Sequence, residues 1–188
     1  MSSAALKLVS LNVRGVSNLK KKTHHFHKVS QKECRRDFFL QETHSNKATE
    51  NQWQREWGGR MLSSRGSPNS CGTSILINNK ANCTVLCSVS DPLGCFISSK
   101  VQVDDKVYVL VNFMYQTKIE TRFISLRNYI LCFKLSENLD SEENIIVGGD
   151  FNCPLNPTLD KIGGIMISRK SAVNSIERLQ SELDLVDI

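Results

Sequence analysis

Four short apolar runs in this chain each end on a polar group, and this arrangement limits the fold more than any other feature of the sequence. Leu6 to Leu11 closes on Asn12, Asp37-Phe38-Phe39-Leu40 on Gln41-Glu42, Val107 to Met114 on Tyr115, and Asn144 to Val147 on Gly148-Gly149-Asp150-Phe151-Asn152. Apolar runs of this length, bounded by turn residues, predict buried strands. Polar groups at the ends of several buried strands converge on one edge of a sheet, where rigid elements can hold a chemical constellation.

Between these runs the chain alternates strand-like and helix-like stretches, with no internal repeat and no linker. A basic stretch from Asn18 to Arg36 has apolar residues at rough helical spacing, Leu19, Phe26, Val29 and Cys34. The spacing predicts further helices over about Lys47 to Trp57, stopped by Gly58-Gly59, over Ile119 to Leu135, and over Ala172 to Leu183, where Ile176, Leu179 and Leu183 share a face. Four β-rich stretches, Gly72 to Asn78, Cys83 to Val89, Gly94 to Val103 and Val107 to Tyr115, are separated by turns at Asn78-Asn79, Asp91-Pro92 and Asp104-Asp105. Hairpins mixed with strand-helix-strand units point to an α/β sandwich, two packed sheets with helices outside. A doubly wound nucleotide fold is excluded, because no G-x-G-x-x-G follows the first strand and no G-x-x-x-x-G-K-[ST] occurs.

The 188 residues set a prior of a single domain, and a chain of this size buries roughly 70% of its unfolded surface without needing disulfides or zinc. At 40% hydrophobic and 23% charged residues the composition is that of a globular domain, which rules out disordered and fibrous classes. No apolar run reaches the about 18 residues of a membrane helix, and no secretory signal opens the chain. The seven cysteines (34, 71, 83, 87, 95, 132, 153) include no Cys-x-x-Cys pair and sit mostly in apolar stretches, which favours reduced, buried thiols in an intracellular protein, cytosolic or nuclear. Charge is uneven: residues 1–60 carry 12 Lys+Arg against 5 Asp+Glu, whereas residues 61–188 carry 12 against 14. That asymmetry suggests a polyanionic partner for the first third. Lys20-Lys21-Lys22 reads either as a phosphate-contacting face or as a solvated helix surface, and His24, His25 and His27 as exposed histidines without zinc-site spacing. Trp53 and Trp57, four apart, are core anchors.

Glu42, Asp150, Asn12 and Asn152 together offer only oxygen ligands to a cation, a set that suits Mg²⁺ or Mn²⁺. Taken singly, Glu42 is a solvated strand-end carboxylate, Tyr115 a sheet residue and Asp150-Phe151-Asn152 a turn. The ensemble outweighs these readings. Leu11-Asn12-Val13-Arg14-Gly15, Leu40-Gln41-Glu42-Thr43-His44, Ser70 to Ile77, Tyr115 and Gly148-Gly149-Asp150-Phe151-Asn152 occur in the order and approximate spacing of the endonuclease/exonuclease/phosphatase superfamily. The chain resembles, within it, the apurinic-endonuclease-like domain that opens the second open reading frame of LINE-1-type non-LTR retrotransposons, over about residues 6–188.

The resemblance implies a DNase I-like, four-layer α/β sandwich of two mixed sheets flanked by helices. It implies a Mg²⁺- or Mn²⁺-dependent endonuclease that nicks DNA to prime reverse transcription, with a reverse transcriptase downstream in the same polyprotein as partner and no membrane role. By the same resemblance Glu42 is the main metal ligand supported by Asn12, Asp150 positions or deprotonates water, and Asn152 and Tyr115 face the scissile phosphate. Arg14 and His44 lie on DNA-facing loops, and Asp187 supports the site from a following strand. Two departures stand out. The family's Tyr-Ala-Pro is Tyr115-Gln116-Thr117 here, and a family threonine has only Asn174 or Ser175 as counterparts. Members also carry further C-terminal strands with an Asp-His pair, so the chain reads as a domain incomplete at its C-terminus, marginally stable alone. The rival readings are an abasic-site repair nuclease or other phosphodiesterase of the same superfamily, and an inactive nucleic-acid-binding fragment.

Overall fold

The computed structural model describes residues 6–15, 37–67, 70–79, 82–115, 144–153 and 170–187. The basic stretch 18–36 with its lysines and histidines, the expected helix 119–135, Cys34 and Cys132 lie outside these residues. The chain divides into two compact units, one of residues 1–114 with 143–150, the other of 115–142 with 151–188.

Among the described residues of the first unit, eight strands form two mixed sheets. One has the order β1-β2-β4-β3, from β1 (Leu8–Asn12), β2 (Asp37–Gln41), β3 (Arg60–Ser64) and β4 (Thr73–Ile77). The other runs β5-β6-β7-β8, from β5 (Cys83–Ser90), β6 (Phe96–Val103), β7 (Lys106–Met114) and β8 (Asn144–Asp150). Each sheet has a single parallel pair, β1 with β2 and β7 with β8, and β1 packs over β8. The two-residue period decides what lies between the sheets. Phe39, Ile75, Ile77, Ile97, Val101, Val103 and Leu110 form that inner layer, with Leu8, Tyr108 and Ile146 packed against it. The alternate residues Phe38, Leu40 and Leu76 face outward onto Trp53 and Trp57 of helix α1 (Lys47–Trp57).

Helix α1 begins where the expected boundary lies, because Asn46 and Thr49 form a capping box, each side chain accepting the other's backbone N–H at 2.9 Å. It ends on Gly58 in the left-handed conformation, φ 70°. Trp53 is buried, and Trp57 meets Phe38 edge-to-face at 5.6 Å while its Nε1 donates to the Ile77 carbonyl. Both tryptophans are therefore core anchors. The second unit's helix α2 (Lys170–Leu183) buries Ala172, Ile176, Leu179 and Leu183.

Two readings need correction. Strand β3 was not expected, since Arg60-Met61-Leu62-Ser63-Ser64 is too polar to announce itself; pairing with the buried β4 makes it a strand. Burial of the thiols holds for Cys71 and Cys95, but Cys87 is exposed, because β5 is an edge strand with one face open to solvent.

Asp37, at the far end of β2, is 1% exposed, and its Oδ1 accepts the Asn78 N–H at 2.7 Å. Burial pushes its carboxyl up from 3.8 to about 6, against the pull of that hydrogen bond. The folded state thus holds this proton more tightly than the unfolded chain, so stability is lost as pH rises from about 4 to about 6 and the loss is complete above that window. Asp37→Asn keeps an acceptor for Asn78 without the charge. It is expected to unfold later than the parent chain at pH 7, by up to about 3 kcal/mol, and to match it near pH 4. Urea denaturation at the two pH values measures this, and an equal or lower midpoint for the variant at pH 7 would contradict it.

Candidate functional site

Following the inner layer toward the C-terminal ends of the parallel strands, its chemistry changes from apolar to polar. Beyond Phe39 and Leu110 comes a pair of buried carboxamides, Gln41 (1% exposed) and Asn112 (fully buried), with Gln41 Nε2 donating to Asn112 Oδ1 at 2.7 Å and to Ser10 Oγ at 3.1 Å. Asn112 Nδ2 donates to the carbonyls of Leu40 at 2.9 Å and Ser74 at 2.8 Å. Above this layer, at the solvent-facing rim, Asn12 Nδ2 donates to Asp150 Oδ2 at 2.7 Å. The end of β1 in one sheet is thereby tied to the end of β8 in the other.

Glu42 leaves β2 at the same rim, directly after Gln41, the register partner of Asn12. Its position is held from both sides. Gly15 N–H donates to the Glu42 carbonyl at 2.7 Å, and the next residue, Thr43, donates its N–H to the Gly72 carbonyl at 3.0 Å. Further along, the buried Glu50 accepts from Ser45 Oγ at 2.9 Å and from Arg65 Nε through both oxygens, which fixes the segment leading from Glu42 into α1. The backbone here is unusual: Arg14, Glu42, His44 and Cys71 all have φ between 46° and 63°, a region that costs energy for residues other than glycine. Such strain concentrated on strand-end loops is a mark of functional sites. His44 is half-buried, its Nδ1 only 3.1 Å from where a Cβ on Gly15 would sit, while Arg14 is exposed with its N–H donating to Asn12 Oδ1 at 3.1 Å.

Two glycines before Asp150 have reasons of their own. At Gly148 a side chain would meet the Phe39 ring at 2.9 Å. Gly149 has φ 148°, and a Cβ there would overlap the Phe113 carbonyl, its register partner on β7.

The first unit therefore brings together Asn12 and Asp150, with Glu42 and the loops of Arg14 and His44 at the same rim. In the second unit, Asn152 Nδ2 donates to the Tyr115 carbonyl at 2.9 Å, and Asn152 too has a left-handed φ of 50°. Asp187 is exposed in an irregular segment after α2, not on a strand, and Asn174 and Ser175 lie on α2 itself. Sequence reasoning overlooked Gln41 and Asn112. The signal was present: a carboxamide inside an apolar run, in phase with inward-facing Tyr108 and Leu110.

As to fit for a metal, no three His, Cys, Asp or Glu side chains cluster among the described residues. The rim supplies two carboxylates and a carboxamide, oxygens only, the donor chemistry of a hard cation that keeps several waters.

No family model matches the chain. Its sequence is 31% identical over 153 residues to a transposon TX1 uncharacterized 149 kDa protein of Xenopus laevis, covering 80% of this chain and 11% of that protein. Among solved structures it is similar to an AP endonuclease from Leishmania major, with TM-score 0.74 and 17% identity over 94% of this chain and 66% of the other. It is also similar to an endonuclease/exonuclease/phosphatase family protein from Bacteroides thetaiotaomicron, with TM-score 0.56 and 11% identity over 78% and 63%. The fold is thus the DNase I-like fold of the AP endonucleases. No helix among the described residues is long and apolar enough to cross a membrane.

Proposed function

We propose that the chain is a divalent-metal-dependent phosphodiesterase that nicks DNA, acting in the nucleus as the endonuclease of a retroelement that also encodes a reverse transcriptase. The observation that carries this reading is the hydrogen bond from Asn12 on β1 to Asp150 on β8, at the rim where Glu42 leaves β2. Likeness to a transposon protein supports the retroelement setting, and the AP endonuclease fold supports the chemistry.

Glu42 and Asn12, with Asp150 and Asn152, would hold Mg²⁺ or Mn²⁺, which when bound neutralises charge developing on the phosphoryl group and the leaving oxygen. Asp150 orients the attacking water and takes its proton as the water oxygen bonds to phosphorus and the bond to the leaving 3′ oxygen breaks. A proton from solvent completes the 3′ hydroxyl. The Asn12 bond to Oδ2 fixes the rotation of the Asp150 carboxylate. Asn152 and Tyr115 bind the scissile phosphate, Arg14 and His44 contact flanking phosphates, and Asp187 supports the site.

Incubating the chain with supercoiled plasmid and Mg²⁺ tests the reading: nicked circles are expected, and EDTA should stop their formation. A matched plasmid carrying abasic sites separates the rivals, since cleavage confined to it would assign the chain to repair. Nicking that persists in EDTA would sink the metal mechanism. For the basic residues, Arg14→Ala and the triple change of Lys20, Lys21 and Lys22 to Ala are expected to flatten the slope of log K against log salt by about one unit per lost phosphate contact. An unchanged slope in a DNA-binding titration returns those residues to ordinary solvated surface.

A further inference from the structure

We infer that Asn112 is a positioning residue, setting the strand end that carries Glu42 against the one that carries Asp150. The inference rests on the phosphodiesterase reading above and adds a residue that reading does not use. Asn112 sits two residues before the C-terminal end of β7, opposite Gly148 of β8, which in turn lies two residues before Asp150. Its carboxamide crosses to the facing sheet and bonds three groups there: the Leu40 carbonyl on β2, the Ser74 carbonyl on β4 and the Gln41 side chain. Leu40 and Gln41 are the two residues before Glu42, and Gln41 reaches on to Ser10, two before Asn12.

Apolar packing holds two sheets together without direction, so it resists separation more than sliding. Directed hydrogen bonds in a buried layer resist both. A metal-phosphate centre needs its groups held to about half an ångström, and a misplacement of about 1 Å costs on the order of 10²-fold in rate. The Asn112 layer lies directly beneath the rim and touches β1, β2, β4 and β7. An apolar residue of similar size would fill the space and leave the register of the two strand ends free to drift.

The test uses Asn112→Leu, Asn112→Ala and Gln41→Met, the last leaving the bonds from Asn112 to the two carbonyls in place. Thermal unfolding of each is measured first, and plasmid nicking in Mg²⁺ is then followed well below each midpoint. The expected result is a kcat lower by about 10- to 100-fold with KM for plasmid changed less than about 3-fold, and a smaller drop for Gln41→Met. A purely structural role would lower activity only with the folded fraction. Folded variants with the parent kcat would overturn the inference while leaving the phosphodiesterase reading intact. Should neither Asn112 variant fold, Gln41→Met decides alone: a lower kcat at unchanged KM supports the inference and an unchanged kcat overturns it. A parent chain that does not nick plasmid in Mg²⁺ overturns the phosphodiesterase reading, and this inference with it.

Discussion

Asp150→Ala and Glu42→Ala should each lower Mg²⁺-dependent nicking of supercoiled plasmid by at least about 10³-fold, equivalent to about 4 kcal/mol of transition-state stabilisation. The size follows from what each carboxylate is asked to do. Deprotonating or orienting the attacking water contributes typically ~10² to 10⁴ in rate, and that is the task proposed for Asp150, whose carboxylate accepts from the Asn12 carboxamide. Glu42 is the anion expected to hold the cation, so its loss removes charge stabilisation from the phosphoryl group. Both residues lie at the end of strands and not within the apolar layer, so the variants should keep the parent's unfolding midpoint to within a few degrees. Asn12→Ala, which frees the Asp150 carboxylate without removing it, should cost less than either. Gel quantification of nicked circles, with unfolding curves alongside, measures all three. Retention of more than a tenth of the parent rate by Asp150→Ala would contradict the assignment.

Gly149→Val carries the largest expected effect on stability. With φ at 148° and a Cβ position that overlaps the Phe113 carbonyl, the residue can bear no side chain unless β8 moves off β7. That shift would break the parallel pairing of Asn144–Asp150 with β7 and displace Asp150, the next residue. A loss of about 4 kcal/mol or more is expected, enough to abolish cooperative unfolding in a protein of ordinary stability. Gly148→Ala is milder, because its Cβ meets an aromatic ring edge instead of backbone; about 1 to 3 kcal/mol is expected. Urea denaturation of the two variants measures the difference. A Gly149→Val chain within 1 kcal/mol of the parent would show that the β7–β8 junction tolerates what the geometry forbids.

The strand ends were legible in the sequence because each combines two local signals, an apolar run and the polar residue that stops it. Asn12, Glu42 and Asp150 stand out for that reason, and their convergence follows once both parallel pairs are placed at one edge. Helix α1 was equally plain in its extent, stopped by two glycines, whereas its Asn46–Thr49 capping box came to light only in the structure. What escaped notice is non-local. The phase of Asn112 with Tyr108 and Leu110 says that it points inward, but its bonds reach Gln41 and Leu40, 71 and 72 positions away, so nothing near it in the chain names the partners that satisfy it. Asp37 reads as the polar start of a strand, and only the packing of Asn78 and the inner layer shows that it is buried and hard to ionise. Strand β3 takes its conformation from β4 and not from its own composition.

The claim at the centre of this account is that two sheets deliver a cation-binding carboxylate set to one rim. Anomalous diffraction from a crystal soaked in Mn²⁺ tests it most directly. The account predicts one strong manganese peak within bonding distance of the Glu42 carboxylate, lost in a Glu42→Gln crystal. A manganese-soaked crystal with no peak at Glu42, or with its only peak at other side chains, would contradict it.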